Sequence, residues 1–273
     1  MQAKRVWAMY WSATGTTKTV VTTVADSLAK ALGLAVEQYD FTLPAARQGA
    51  PAFDAQDIVV FGTPTYAGRV PNVLLKYLAT VQGHGAAAVP VVTFGNRAFD
   101  DSLIELRDIL ADNGFRPFAA GAFVGEHSFS TTLAAGRPDA DDLALATELG
   151  VRAAARVAAL DADTPMIEVS GRPRETRAYY QPRDRAKKPI DIRKVKPLTS
   201  EACNDCGLCA AICPMGSIDP ENVRNYIGIC IKCGACVKKC PLGAKFYDDP
   251  GYLYHKSELE EEYTRRAAVN LFV

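Results

Sequence analysis

The chain has 273 residues, of which 48% are hydrophobic and 23% charged, and its basic and acidic residues balance to a net charge of zero. This composition is ordinary for a soluble globular protein, and the length allows one core and a small second unit. No apolar run is long enough to span a bilayer and no excess of positive charge attracts nucleic acid, so we expect neither membrane nor nucleic acid as a partner.

Predicted strands and helices alternate through the first 163 residues. The stretch "RVWAMYWS" at 5–12 predicts a buried strand, and no signal-peptide pattern precedes it, so we expect a cytoplasmic protein. The alternation favours α/β architecture with a parallel, doubly wound sheet. After a turn and helix within 12–33, the predicted strands cover 34–41, 57–62, 88–95 and 117–125, and the predicted helices 71–82, 101–113 and 141–160.

Three loops are expected beyond the carboxyl ends of the strands, where such sheets bind ligands. The first, "SATGTT" at 12–17, carries hydroxyls around Gly15 and opens a helix, which favours a phosphate site. A helix cap by Ser or Thr is the alternative interpretation. The loop has no P-loop lysine and no G-x-G-x-x-G turn, which disfavours nucleoside triphosphates and dinucleotides.

The second and third loops are Thr63–Gly68 and Thr93–Phe99. Tyr66 in one and Phe99 in the other can together sandwich a planar ring, because both loops lie at the same sheet edge. Taken singly, each aromatic is better explained as a hydrophobic residue that covers its loop.

Taken together, the three loops resemble those of a flavodoxin, and the resemblance covers about residues 4–160. It implies a flavodoxin-like, five-stranded sheet of order 2-1-3-4-5 and FMN as the cofactor. It also implies that the first loop holds the phosphate, that Tyr66 and Phe99 flank the isoalloxazine, and that the two later loops contact its polar edge. The implied FMN-binding residues are Ser12, Ala13, Thr14, Gly15, Thr16, Thr17, Pro64, Thr65, Tyr66, Ala67, Gly68, Thr93, Phe94, Gly95, Asn96, Arg97 and Phe99.

Two positions near these loops invite separate hypotheses. Asn96-Arg97 stands where many flavodoxins have an Asp-Gln pair, and we hypothesise that Arg97 brings a positive charge to the flavin and raises its potential. His127, in "GEHSFS", follows the last predicted strand. A loop hydrogen-bonding role is favoured for it over a proton donor or a substrate contact.

Residues 164–197 are rich in proline and contain ten basic against four acidic residues, with little apolar periodicity. This pattern predicts a basic linker. It divides the chain into a predicted first domain at 1–163, the linker, and a second domain at 198–273.

All eight cysteines lie within residues 203–240, in two runs of the form C-x2-C-x2-C-x3-C-P. A disulfide framework is disfavoured because it suits small secreted proteins. Zinc accounts for two ligands of each run and leaves the other two unexplained. The spacing is instead the signature of bacterial two-cluster ferredoxins, in which the fourth cysteine of each run ligates the other cluster.

The chain resembles such a ferredoxin over about residues 198–248, which implies a small α+β domain with two [4Fe-4S] clusters. Gly207 and Gly234 would let the backbone approach the clusters, and Pro214 and Pro241 would turn the chain after the fourth ligand. The ligands assigned to one cluster are Cys203, Cys206, Cys209 and Cys240, and those assigned to the other are Cys230, Cys233, Cys236 and Cys213.

The two halves together resemble the flavodoxin–ferredoxin fusion proteins of anaerobic bacteria and archaea. The favoured function is electron transfer between FMN and the clusters, coupling one-electron and two-electron steps for redox partner proteins. The alternative is an FMN-dependent reductase of a small organic substrate, and no catalytic residue is assigned. A homodimer is expected if the clusters and the flavin of one chain lie far apart. The segment "SELEEEYTRRAAVNLFV" predicts a short helix with an apolar tip that packs within the chain.

Overall fold

The computed structural model describes residues 1–161 and 163–273. The strands are β1 Arg5–Tyr10, β2 Val36–Asp40, β3 Asp57–Pro64, β4 Ala87–Phe94, β5 Arg116–Pro117, β6 Ala120–Val124, β7 Leu198–Thr199, β8 Lys245–Phe246 and β9 Asn270–Phe272. The helices are α1 Thr16–Leu32, α2 Asn72–Leu78, α3 Ser102–Asp112, α4 Ala140–Val157, α5 Leu208–Ala211, α6 Ala235–Lys238 and α7 Pro250–Glu262.

One large sheet forms the first lobe, with strand order β2-β1-β3-β4-β6-β9, and β5 pairs with β4 just ahead of β6. The pairs from β2 to β6 are all parallel. The predicted flavodoxin-like order 2-1-3-4-5 is therefore confirmed, with the fifth strand divided into β5 and β6. This order places the loops after β1, β3 and β4 side by side at one edge of the sheet.

Both faces of the sheet are buried, as expected for parallel strands between helices. Along β1, Val6, Ala8 and Tyr10 belong to the core that also contains residues of α1 and α4, while Met9 and Trp11 belong to the core that contains residues of α2 and α3. Because successive side chains point to opposite faces, the strand needs apolar residues at almost every position. The apolar run "VWAMYW" meets this requirement.

The last strand, β9, is a feature that the sequence did not predict. Helix α7 ends at Glu262, and the apolar tip expected to extend it forms a strand antiparallel to β6, with Leu271 opposite Gly121. Val269, Leu271 and Val273 pack against the core on the α1 and α4 side. This alternation is typical of a strand and would not fit a helix. Residues 198–273, predicted as one domain, therefore contribute their final strand to the first lobe.

The segment 164–197, predicted as a linker, packs along the first lobe. Ile167 N–H donates to the Pro117 carbonyl over 2.9 Å, and Tyr180 N–H donates to the Ala67 carbonyl over 2.8 Å. Three of its arginines face carboxylates on or beside α3, and Arg177 reaches Asp108 at 2.6 Å. Acidic groups of the first lobe thus match part of the positive charge of the segment. We call residues 164–197 the connecting segment.

Residues 198–248 form a second, smaller lobe, which we call the cluster lobe. It contains the short antiparallel pair β7–β8 and the one-turn helices α5 and α6. Gly207 and Gly234 precede these helices with φ of 73° and 77°, a left-handed conformation that glycine adopts without strain. Among the helices of the described residues, none is long and apolar enough to cross a membrane.

Candidate functional site

The cysteines of the two runs combine crosswise around two cavities. Cys230, Cys233 and Cys236 of the second run and Cys213 of the first line one cavity, with about 360 Å³ of space. We call it the proximal cluster cavity, because it lies on the side of the first lobe. All the cysteines are free of disulfides. The structure thus brings together the four thiols that the sequence assigned to one cluster.

The distal cluster cavity, with about 390 Å³ of space, is lined by the other assigned set. Its cysteines are Cys203, Cys206, Cys209 and Cys240. Cys236 also borders this cavity, so the two cavities are adjacent. Among the described residues, no three His, Cys, Asp or Glu side chains converge closely enough to hold a single metal ion. Thiols arranged around a cavity fit a multi-iron cluster better than one zinc ion.

Backbone donors support the same assignment. The N–H groups of Asp205, Ser217 and Ala244 donate to the Sγ atoms of Cys203, Cys213 and Cys240 over 3.4, 3.3 and 3.3 Å. Such hydrogen bonds stabilise thiolates and tune the potential of a bound cluster. Burial raises the pKa of Cys233 to about 12, so iron binding there would release a proton.

The loop between β1 and α1 surrounds the base of a further cavity of about 480 Å³, which we call the inner cavity. Thr14, Thr16 and Thr17 line it, and the first turn of the 17-residue helix α1 directs its free N–H groups toward this side. Gly125 faces Thr16 so closely that a Cβ atom there would collide with the threonine methyl group. Hydroxyls, helix amides and a close backbone approach together suit a phosphate group.

Not every hydroxyl of this loop is free for a ligand. Ser12 Oγ accepts a hydrogen bond from Lys18 N–H over 3.0 Å, and the Thr17 and Thr93 hydroxyls are 2.7 Å apart and buried. Ala13 and Thr93 also line the inner cavity. The N-cap position of α1 is occupied by Gly15, so Ser12 satisfies one N–H of the first turn from outside that position, while Thr14 and Thr16 remain available to a phosphate.

The two later loops border both the inner cavity and a larger one, the outer cavity, which contains about 970 Å³ of space that is partly open to solvent. Tyr66 lines both, and its ring meets the Trp11 ring edge-on with centroids 5.8 Å apart. Burial, and then the charges of Cys233 and Cys230, raise the pKa of Tyr66 well above its usual value. The other predicted residues of these loops that line one or both cavities are Pro64, Thr65, Ala67, Gly68, Phe94, Gly95 and Arg97.

Two predicted residues of the third loop have other partners. The Phe99 ring packs against Phe94, with centroids 5.6 Å apart, rather than standing opposite Tyr66 in the cavity lining. Asn96 is buried, and its amide nitrogen donates to the carbonyls of Tyr263 and Arg265, both over 2.7 Å. Asn96 therefore holds the chain between α7 and β9 against this loop.

Several residues of the outer cavity were missed by sequence reasoning. Tyr180 of the connecting segment lines it, with Arg97 over its ring at 4.5 Å, and His255 of α7 stacks on Tyr180 at 6.0 Å. The "AYYQP" motif was the available signal, since paired aromatics are unusual in a solvated linker. The sequence contains no periodic pattern that would have predicted contact between this motif and the flavin loops.

His127 lines both cavities, but its Nδ1 accepts a hydrogen bond from Phe129 N–H over 3.1 Å. Burial, and then the charge of His255, lower the pKa of His127 to about 4. The structure thus provides the loop hydrogen bond favoured from the sequence, and leaves a neutral imidazole with a proton on Nε2.

The most informative contact joins the two lobes. Cys233 of the proximal cluster cavity also lines the inner cavity, together with Thr16 and Tyr66. Lys238 of α6 reinforces the junction by donating to the Glu126 carboxylate and to the carbonyls of His127 and Ser130, the last two over 2.7 Å. The predicted flavin loops and the predicted cluster loop therefore form one continuous site.

Comparison with known proteins agrees with the division of the chain into the first lobe and the cluster lobe. Residues 202–245 match the 4Fe-4S dicluster domain family. The chain joins a flavodoxin-like fold to a 4Fe-4S dicluster domain. The family match supports iron–sulfur binding within residues 202–245. No curated protein matches the chain.

Solved flavodoxin structures resemble the first lobe. An archaeal flavodoxin has 13% identity and a TM-score of 0.38, covering 56% of this chain and 99% of its own. Flavodoxin 2 from Bacillus cereus has 16% identity and a TM-score of 0.41, covering 56% and 99%. A flavodoxin from Streptococcus pneumonia TIGR4 has 21% identity and a TM-score of 0.36, covering 55% and 98%. The fold assignment here rests on the strand order.

Proposed function

We propose that this chain transfers electrons between two [4Fe-4S] clusters and FMN. The observation that carries the proposal is the position of Cys233, which lines both the proximal cluster cavity and the inner cavity. FMN, when bound, supplies a centre for one or two electrons, and the clusters supply one-electron centres. A chain that holds both side by side is suited to coupling one-electron and two-electron steps.

The surface around the distal cluster cavity supports an external electron donor or acceptor. Cys206 is exposed, and the neighbouring Leu208 and Leu242 expose 39% and 49% of their surface while lining the same cavity. Exposed apolar side chains beside a redox centre suit a short-lived contact with a partner protein. The proposed route runs from a partner through the distal and proximal clusters to FMN, or in reverse, within one chain.

A rapid photoreduction experiment tests this route. In cofactor-loaded protein, a flash-generated one-electron reductant would bleach the cluster absorption first, and FMN absorption would then bleach as the clusters reoxidise. We expect a first-order rate for the second phase that does not change with protein concentration, because the centres share a chain. A rate proportional to protein concentration would refute the route.

A pair of variants adds a control. Cys230→Ser removes a ligand of the proximal cluster, and Cys203→Ser removes a ligand of the distal one. We expect the first to abolish the cluster-to-FMN phase and the second to leave it present while weakening reduction by a protein donor. Equal effects of both variants on the internal phase would contradict the order of centres.

A second candidate function, a reductase of a small organic molecule, is favoured by the outer cavity. Its enclosed volume of about 260 Å³ is close to the lower end of the range for small-molecule sites, about 300–1,000 Å³. Its lining extends beyond the flavin loops to Tyr180 of the connecting segment and His255 of α7, as a site for a second molecule requires.

A further inference from the structure

The outer cavity has two walls of different origin. One consists of the flavin loops, including Tyr66 and Gly95. The opposite wall is built from parts of the chain that lie outside the flavodoxin-like fold: the connecting segment, the cluster loop and α7. Its residues are Tyr180, Pro182, Ile192, Arg193, Ile231, Lys232, His255 and Leu259. This second wall lies opposite the loops expected to hold the flavin ring.

Flat side chains dominate the outer cavity. His255 stacks on Tyr180 with an angle of 26° between the rings, and Phe129 meets His255 edge-on at 6.2 Å. Ile192 is buried, and Leu259 is buried beside it in the lining. Aromatic faces with apolar neighbours bind planar, conjugated molecules in preference to bulky saturated ones.

The charged groups of the lining are all basic. Arg97, Arg193 and Lys232 contribute to it, and no Asp or Glu does so among the described residues. Arg97 is already paired with Asp100, and Arg193 with Asp191. Among these three groups, Lys232 is therefore the one left to attract an anion.

Lys232 is the basic group with spare hydrogen-bonding capacity. Its Nζ donates to the carbonyls of Arg193 at 3.3 Å and Cys230 at 3.1 Å, and within residues 1–161 and 163–273 it forms no ion pair with a carboxylate. An ammonium has three donors, so one remains for a ligand. The two carbonyls fix the position of the amine in the lining of the cavity.

We propose that the outer cavity binds a small planar carboxylate, aromatic or conjugated, with its carboxylate on Lys232 and its ring against Tyr180 and His255. The inference rests on the proposed function, because the ring of bound FMN would form the facing wall. It identifies the substrate class of the reductase function as planar conjugated acids.

Calorimetric titration of the FMN-loaded and cluster-loaded protein with trans-cinnamate tests the proposal. We expect saturable binding of one molecule per chain, and binding of the uncharged cinnamamide at least about tenfold weaker, because it lacks the charge-assisted hydrogen bond. Lys232→Gln should lower cinnamate affinity to that of the amide. Lys194→Gln, which removes an exposed lysine of the connecting segment outside the cavity, should leave cinnamate affinity unchanged.

Three results would overturn the proposal. They are absence of cinnamate binding at millimolar concentration, equal affinity for acid and amide in the wild-type protein, and binding in FMN-free protein that FMN abolishes by competition. The last would place the ligand in the flavin position. The photoreduction experiment and the cinnamate titration can fail independently. If electrons pass from the clusters to FMN but the protein does not bind cinnamate, only this further inference is refuted.

Discussion

Gly234 and Gly207 occupy equivalent positions before α6 and α5 and have nearly the same φ, 77° and 73°. Their surroundings differ. A Cβ atom on Gly234 would lie 2.5 Å from the carbonyl oxygen of Ser128, whereas one on Gly207 would meet nothing within 4 Å. The sequence predicted the same role for both glycines. It could not predict the difference, because Ser128 is far from Gly234 along the chain and no pattern links the two.

We expect Gly234→Ala to be more harmful than Gly207→Ala. Both substitutions place alanine in the left-handed region, at a cost of about 1–2 kcal/mol. Gly234→Ala should add about 1–3 kcal/mol, because the backbone of the 125–130 loop must move away from the cluster loop. Thermal unfolding of the two cofactor-loaded variants, with the rate of cluster-to-FMN transfer, would measure this. Equal melting temperatures and equal rates would show that the lobes are not in contact at Ser128.

At the scale of elements, the strands and helices of the first lobe could be predicted because their apolar residues repeat with the periods of buried strands and amphipathic helices. β9 could not be predicted as a strand, because "VNLFV" is short and no turn signal separates it from α7. The docking of the connecting segment was also missed. Its contacts are made by separate arginine and tyrosine side chains, which leave no periodic pattern.

Arg172 is one of these contacts. Its guanidinium and its backbone N–H both bind the buried Asp101 carboxylate, over 2.8 and 2.9 Å. Burial acts to raise the pKa of Asp101, but the hydrogen bonds and charge of Arg172 outweigh it, and the pKa is lower than usual. The pair therefore stabilises the folded state above the unfolded pKa of about 3.9, and this contribution is lost as the pH falls through the lower, folded value.

Arg172→Gln should lower the free energy of unfolding at pH 7, because the buried Asp101 carboxylate loses its ionic partner, although the half-exposed position of the arginine limits the loss. The difference from the wild type should shrink below about pH 4, where the wild type also loses the ion pair. Urea unfolding across this pH range would test both statements. The control is Arg174→Gln, whose pair with Asp112 is more than half exposed on both sides and should be worth less than about 0.5 kcal/mol. If the difference in free energy of unfolding between the wild type and Arg172→Gln increased below about pH 4, the lowered pKa of Asp101 could not be attributed to Arg172.

At the scale of the whole molecule, three connections close the cluster lobe onto the first lobe. They are the docked connecting segment, the Lys238 contacts with the 126–130 loop, and the return of the chain through Asn96 to β9. Together they hold the cluster cavities against the inner cavity, so the two lobes should behave as one cooperative unit.

Unfolding by urea, followed separately by flavin fluorescence and by cluster absorption, should therefore give coincident transitions. Removal of residues 268–273 deletes β9 and exposes the edge of β6, and we expect the two transitions to separate in that variant, with the flavin signal changing first. Asn270→Ala is the control, because it keeps the backbone pairing of β9 and should leave the transitions coincident. Separate transitions in the wild type would show that the lobes unfold independently.

The position of β9 also orders events during synthesis. The strand pairs with β6 of the first sheet, yet it is translated after all the cysteines. The ribosome therefore releases both cysteine runs before the edge of that sheet can be completed. Until then the sheet has an open edge, and the connecting segment and cluster lobe extend from it as a long loop. Iron and sulfide delivered in this interval would reach cysteines that are not yet packed against the first lobe, so cluster assembly can begin before the first sheet is complete.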